Sequence, residues 1–191
     1  MKSVGQEAIA WRVWPPPLED DERLLETVQA VHRNIYADNF AHDPAANHGL
    51  PLQYRVFRRL QEWRILLMLT PWMLARLMFP DRPPGLRIPA DWRAEARPDS
   101  DYRLLGPRLE LELLGQAQQT HLNYHPALGH YLLQPIVLNM QPYADTEAVF
   151  AAWGEVIRTR DENMEKRQMD CPWQKELSRR ELFNRWRGGG S

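Results

Sequence analysis

Trp63-Arg64-Ile65-Leu66-Leu67-Met68-Leu69-Thr70-Pro71-Trp72-Met73-Leu74-Ala75-Arg76-Leu77-Met78-Phe79-Pro80 is the stretch on which the fold turns. Ile65–Leu69 is an apolar run of strand length. Thr70 then stands where it caps free amides, and Pro71 fits a first helical position because its missing N–H would be orphaned there anyway. The expectation is a strand, a turn and a short helix that Pro80 ends near Phe79. Only Arg76 interrupts the apolar side chains of that helix. One or two turns of helix that are apolar nearly all round need cover, either from the core or from a partner.

Outward from this stretch, Leu52, Tyr54 and Val56 alternate with Gln53 and Arg55, which predicts a half-buried strand. A polar turn near Leu60–Glu62 makes it a hairpin with the strand at Ile65–Leu69. Glu19–Phe40 reads as a long helix, with Leu24, Leu25, Val28, Val31, Ile35 and Tyr36 on one face and Asp20 and Asp21 at its positive end. His32 lies near that face and reads as a core histidine, since no second histidine sits three or four residues away. Leu109, Leu111 and Leu113 alternate with charges, another amphipathic strand. Tyr131–Leu138 is a further strand, where Pro135 implies an edge or a bulge. Residues 116–129 between them read as a polar connection with at most a short strand near His121–Leu122. Asp145–Arg160 is a second helix, capped by Asp145, with Val149, Phe150, Trp153, Val156 and Ile157 as its stripe.

The fold class is therefore α+β: a small antiparallel sheet packed with two main helices, an irregular proline-rich loop over 81–103, and a charged C-terminal tail. Residues 1–17 read as an arm that straps Trp11 and Trp14 onto the domain, 18–160 as one domain, and 161–191 as the tail. A helix over Gln174–Arg187 would have no single apolar stripe, so the tail is expected to order only on a partner.

Composition narrows the chemistry. The 191 residues carry a net charge of −1, which implies neither nucleic-acid nor anionic-membrane binding. A single cysteine, Cys171, excludes an internal disulfide framework and fits a reducing compartment. No 18-residue apolar run and no basic-then-apolar leader exist, so the sequence predicts a cytoplasmic protein with no membrane partner. Every serine lies in a tail or in the irregular loop, and no phosphate-cradling glycine loop is present. An enzyme is not expected, and no cofactor is implied. His121, His125 and His130 lie within ten residues and form the alternative reading, a metal-handling accessory protein, although their spacing matches no rigid ligand template.

Leu69-Thr70-Pro71-Trp72-Met73-Leu74, followed by Met78-Phe79-Pro80, resembles the signature of the HybE/HupJ family of [NiFe]-hydrogenase assembly chaperones. Leu50-Pro51 before the first strand, and Leu128-Gly129-His130-Tyr131, Met140 and Tyr143-Ala144-Asp145 further on, follow the same pattern. The resemblance spans roughly residues 20–160. It departs where the family often has a strand cysteine and a Ser-Pro, since Gln134 and Leu138-Asn139 stand there instead. What it implies is a non-enzymatic chaperone that binds precursor large or small hydrogenase subunits. Such proteins are linked to holding back twin-arginine export of the small subunit until its cofactors are in place. The binding surface is then expected at Trp72, Met73, Met78 and Phe79, exposed in part and shaped by Thr70 and Pro71.

Overall fold

The structure is a computed structural model. It describes residues 11–13, 16–97, 102–113 and 115–155, so Trp14, the tail, and Val156 and Ile157 of the second helix's stripe lie outside the described residues. Packing divides the chain into Met1–Thr146 and Glu147–Ser191. The fold is α+β, with two helices and one six-stranded antiparallel sheet.

Helix α1, Asp21–Ile35, starts where the Asp20 carboxylate accepts the amides of Glu22 and Arg23 at 2.8 and 3.2 Å. It buries Leu24, Val28, Val31, His32 and Ile35. A π-helical turn, Tyr36–Phe40, continues it. The strands are β1 Gln53–Leu60, β2 Trp63–Thr70, β3 Met73–Pro80, β4 Arg108–Leu113, β5 Gln116–His125 and β6 Gly129–Val137. Their order across the sheet is β1-β2-β3-β6-β5-β4. Two local meanders, β1–β3 and β4–β6, thus meet along a single seam between β3 and β6. Helix α2 occupies residues 146–155 and begins directly after Asp145. Within it Val149 is buried, and Phe150 and Trp153 are half-buried.

Both faces of the sheet centre are covered. Leu66, Met68, Met73, Ala75, Leu77, Phe79, Tyr131 and Leu133 pack with α1 on one face. Trp63, Ile65, Met78, Leu122 and Leu132 face the other way, onto Trp11 of the arm and Ile88 and Trp92 of the loop after β3. The arm is pinned by backbone. His130 N–H donates to the Arg12 carbonyl at 2.7 Å, and Trp11 Nε1 donates to the Leu86 carbonyl at 2.6 Å. Gly129, at φ +72°, lies so close beneath this arm that a Cβ would fall onto the Arg12 carbonyl.

The helix expected after Pro71 does not exist; Met73–Pro80 is strand β3. With both faces buried, a central strand shows no polar alternation and reads as a continuous apolar run, which periodicity cannot tell from a buried helix. Thr70 does cap free amides, but those of a hairpin turn. Its Oγ1 accepts from Trp72 N and Met73 N at 3.4 and 3.0 Å and donates to the Met73 carbonyl at 3.1 Å. Two further expectations change. Residues 116–125 form a full strand. Val56 is not on the buried face of β1, because a bulge between Arg55 and Phe57 turns it out and puts Tyr54 and Phe57 against the α1 side. Pro135 marks the bulge alternative, since β6 lies inside the sheet and its pairing with β3 shifts register between Leu74 and Ala75.

Candidate functional site

A cleft of about 420 Å³ opens where three segments meet. The C-terminal half of α1 and the π-helical turn supply Asn34, Asp38 and Asn39. The loop after β3 supplies Trp92, Arg97, Tyr102 and Arg103. The β5–β6 turn supplies Tyr124, His125 and Pro126, with Asn123 and Tyr131 at the base.

Each wall is held by a local cause. Asn39 Nδ2 donates to the Ile35 carbonyl at 3.1 Å, and the Tyr36 hydroxyl meets His48 Nδ1 at 2.8 Å. Behind this turn the Trp72 indole stacks on Phe40, with centroids 4.3 Å apart. The second wall rests on Trp92, whose carbonyl accepts from His130 Nε2 at 2.9 Å, while the Arg97 guanidinium lies over its ring at 4.3 Å. Gly106 is required beneath it, because a Cβ there would collide with the Leu122 carbonyl and the Trp92 ring. Asn123 ties base to loop, donating to the carbonyls of Arg103 and Leu104 and accepting from Gly106 N, each at 3.3 Å.

Burial sets the charge states. It pushes the Tyr131 hydroxyl up to about 12 against an opposing bond from Asn123, and it raises Tyr102 further. It lowers His125, so that imidazole is neutral at pH 7. Among the described residues the lining therefore offers one carboxylate, two guanidinium groups, amides and aromatic rings, and no serine, threonine or cysteine. It is suited to holding a chain segment by stacking and hydrogen bonds, and none of the described lining residues is an activated nucleophile.

The residues expected to form an exposed surface do not form one. Thr70, Pro71, Trp72, Met73, Met78 and Phe79 are all buried, and Met78 faces away from Met73 and Phe79 across the sheet. The expectation of exposure came from the helix and falls with it. The three histidines do not converge either. His121 Nδ1 bonds the Gly106 carbonyl at 2.8 Å, and His125 Nδ1 accepts from Ala127 N at 3.1 Å. His130 lies on the opposite face, between the arm and Trp92. No cluster of metal-ligating groups occurs among the described residues. The sequence missed the cleft because its walls lie far apart in the chain. The Thr120, Leu122, Tyr124 alternation against His121, Asn123 and His125 was the signal for β5 and hence for the base.

The fold and cleft define an α+β protein with an open cleft among its described residues. A family model for the [NiFe]-hydrogenase assembly chaperone HybE matches residues 23–185, a span that contains all six strands and the cleft. The chain belongs to that family of hydrogenase assembly chaperones. No curated protein and no solved structure matches it. No helix among the described residues is long and apolar enough to cross a membrane.

Proposed function

We propose that this chain is a cytoplasmic, non-enzymatic chaperone that binds precursor subunits of a [NiFe]-hydrogenase through the cleft between α1, the loop after β3 and the β5–β6 turn. Membership of the family supports the role. The observation that carries the location is the cleft itself: about 420 Å³, walled by Trp92, Tyr102 and Tyr124, with backbone-like amides at Asn34 and Asn39. That volume takes a few side chains of an extended segment. In this reading Thr70, Pro71, Trp72, Met73, Met78 and Phe79 act from inside. Trp72 props the π-helical turn, and the others hold the hairpin that presents it.

The finer role, delaying twin-arginine export of the small subunit until its cofactors are in place, rests on family membership. The lining has Arg97 and Arg103 against one carboxylate, Asp38, so this cleft is a poor seat for the paired arginines themselves. A segment elsewhere in the precursor suits it better.

Asn34 is exposed on the cleft wall, so Asn34→Trp fills the cleft without touching the core. Co-purification of hydrogenase precursor subunits is expected to fall at least about tenfold, a loss of about 1.4 kcal/mol, with the unfolding midpoint unchanged. Undiminished co-purification by this variant, folded as wild type, removes the cleft from the binding surface. Using the small subunit with and without its signal segment as bait separates binding of the body from binding of the signal.

A further inference from the structure

The two edges of the sheet, β1 and β4, differ. β1 carries a bulge at Val56 and exposes Arg55, Arg58 and Arg59, devices that discourage pairing. β4 pairs with β5 from Arg108 to Leu113 without a shift, and among the described residues no strand pairs with its other side.

Two bonds settle which backbone groups that free side presents. Leu122 N donates to the Pro107 carbonyl at 2.8 Å, and Thr120 Oγ1 donates to the Leu109 carbonyl at 2.9 Å. Backbone groups alternate along an antiparallel ladder. Residues 107, 109, 111 and 113 therefore turn theirs toward β5, and Arg108, Glu110 and Glu112 turn theirs to the open edge. The side chains of these last three are exposed, whereas Leu111 and Leu113 are buried on the other face. Pro107, which has no N–H to give, owes nothing to the edge.

We infer that β4 pairs antiparallel with β4 of a second copy of this chain, about a twofold axis through Leu109, so that two six-stranded sheets become one. Arg108 of each copy lies opposite Glu110 of the other, and Leu109 lies opposite its own counterpart on the apolar face. The sequence Arg108-Leu109-Glu110 is self-complementary in this register. A register centred on Glu110 sets two carboxylates against each other, and a one-residue slip sets leucines against charges. The outward amides and carbonyls of Arg108 and Glu110 bond across the axis. The contact is short, far below a standard interface, so the dimer is reversible and concentration-dependent.

Sedimentation equilibrium of the full chain, from low micromolar to several hundred micromolar, tests this. Wild type is expected to pass from monomer to dimer across the range. Glu110→Arg sets like charges opposite in both pairs and raises the dissociation constant about tenfold or more. The double variant R108E/E110R restores the opposition and returns the wild-type constant. Glu112→Arg has no charge opposite it in this register and leaves the constant within about threefold, whereas a Glu110-centred register would lose its Arg108 partner. All three sites are exposed, and unchanged unfolding midpoints confirm folding. A wild type that stays monomeric throughout overturns the proposal, even if Glu110→Arg then impairs subunit binding. So does a dimer that Glu110→Arg leaves intact or that the charge swap does not restore.

Discussion

The Trp72 indole lies flat on the Phe40 ring, with centroids 4.3 Å apart and planes 3° from parallel. Tyr36 and His32 stand parallel to the same indole at 6.2 and 6.4 Å. A residue in a two-residue hairpin turn thereby carries the end of a helix. Trp72→Ala removes the stack and leaves a cavity, and is expected to cost about 3–5 kcal/mol in urea unfolding. Trp72→Phe keeps a ring against Phe40 and should cost under about 2 kcal/mol. Equal losses in the two variants would mean that the stack contributes nothing.

His32 introduces a pH dependence. Its Nδ1 donates to the Val28 carbonyl at 2.8 Å, and Nε2 is buried without a hydrogen-bond partner among the described residues. Burial first, and His125 nearby, bring its pKa down from 6.5 to about 4, despite the opposing Val28 bond. The folded state stays neutral where the unfolded chain takes up a proton. Stability from this residue is full above pH 6.5 and is lost as pH falls toward 4. Between pH 7 and pH 5 wild type should lose roughly 2 kcal/mol on this account. His125 and His130, both lowered by burial, add in the same direction. In His32→Leu the slope of stability against pH over this interval should become visibly shallower; an unchanged slope contradicts the assignment.

Arg64 is a cation in the core, with a fully buried side chain. Its Nη1 donates to the Leu18 carbonyl at 2.6 Å and lies 3.3 Å from Asp21, while Nε lies 3.4 Å from Asp81. Burial pushes the Asp21 carboxyl up, but the bond from Arg59 and the charges of Arg59 and Arg64 outweigh it, so the net shift is downward. Arg64→Ala empties the site and leaves Asp21 and Asp81 to Arg59 alone, and should cost about 2–5 kcal/mol, most of it from the cavity. Arg64→Met fills the same space and should cost less than half of that. The two denaturation midpoints, compared directly, decide whether filling or charge dominates.

Val56 sits at φ +52° and is 54% exposed. A β-branched residue is strained there, whereas asparagine enters this region readily. Val56→Asn should raise stability by roughly 0.5–1 kcal/mol. A fall in the unfolding midpoint would show that Val56 makes compensating contacts.

The sequence is legible where one side of an element meets water. α1 shows its stripe, and β4 shows its alternation. It misleads where an element is buried on both sides. Leu74, Leu77 and Met78 carry no period because Leu77 meets the α1 side and Met78 meets Ile88 and Trp92. β5 was hidden for the opposite reason, since Gln116, Gln118 and Gln119 give a polar stretch until Thr120. The family pattern led to the right class of protein but to residues that are buried: Trp72 and Met73 shape the core, and the cleft is assembled from segments with no common motif.

The seam between β3 and β6 bears on synthesis. As the chain leaves the ribosome, β1–β3 is complete about fifty residues before β6 emerges. Until then the outer edge of β3 is bare, and Leu74-Ala75-Arg76-Leu77-Met78 has the composition of an aggregating segment in all but one position. Arg76 is that position. In the finished sheet it faces Gln134 and donates to it at 2.8 Å. In the nascent half-sheet it is a gatekeeper, a charge at the middle of an otherwise apolar edge that keeps neighbouring chains from adding on before the second meander arrives.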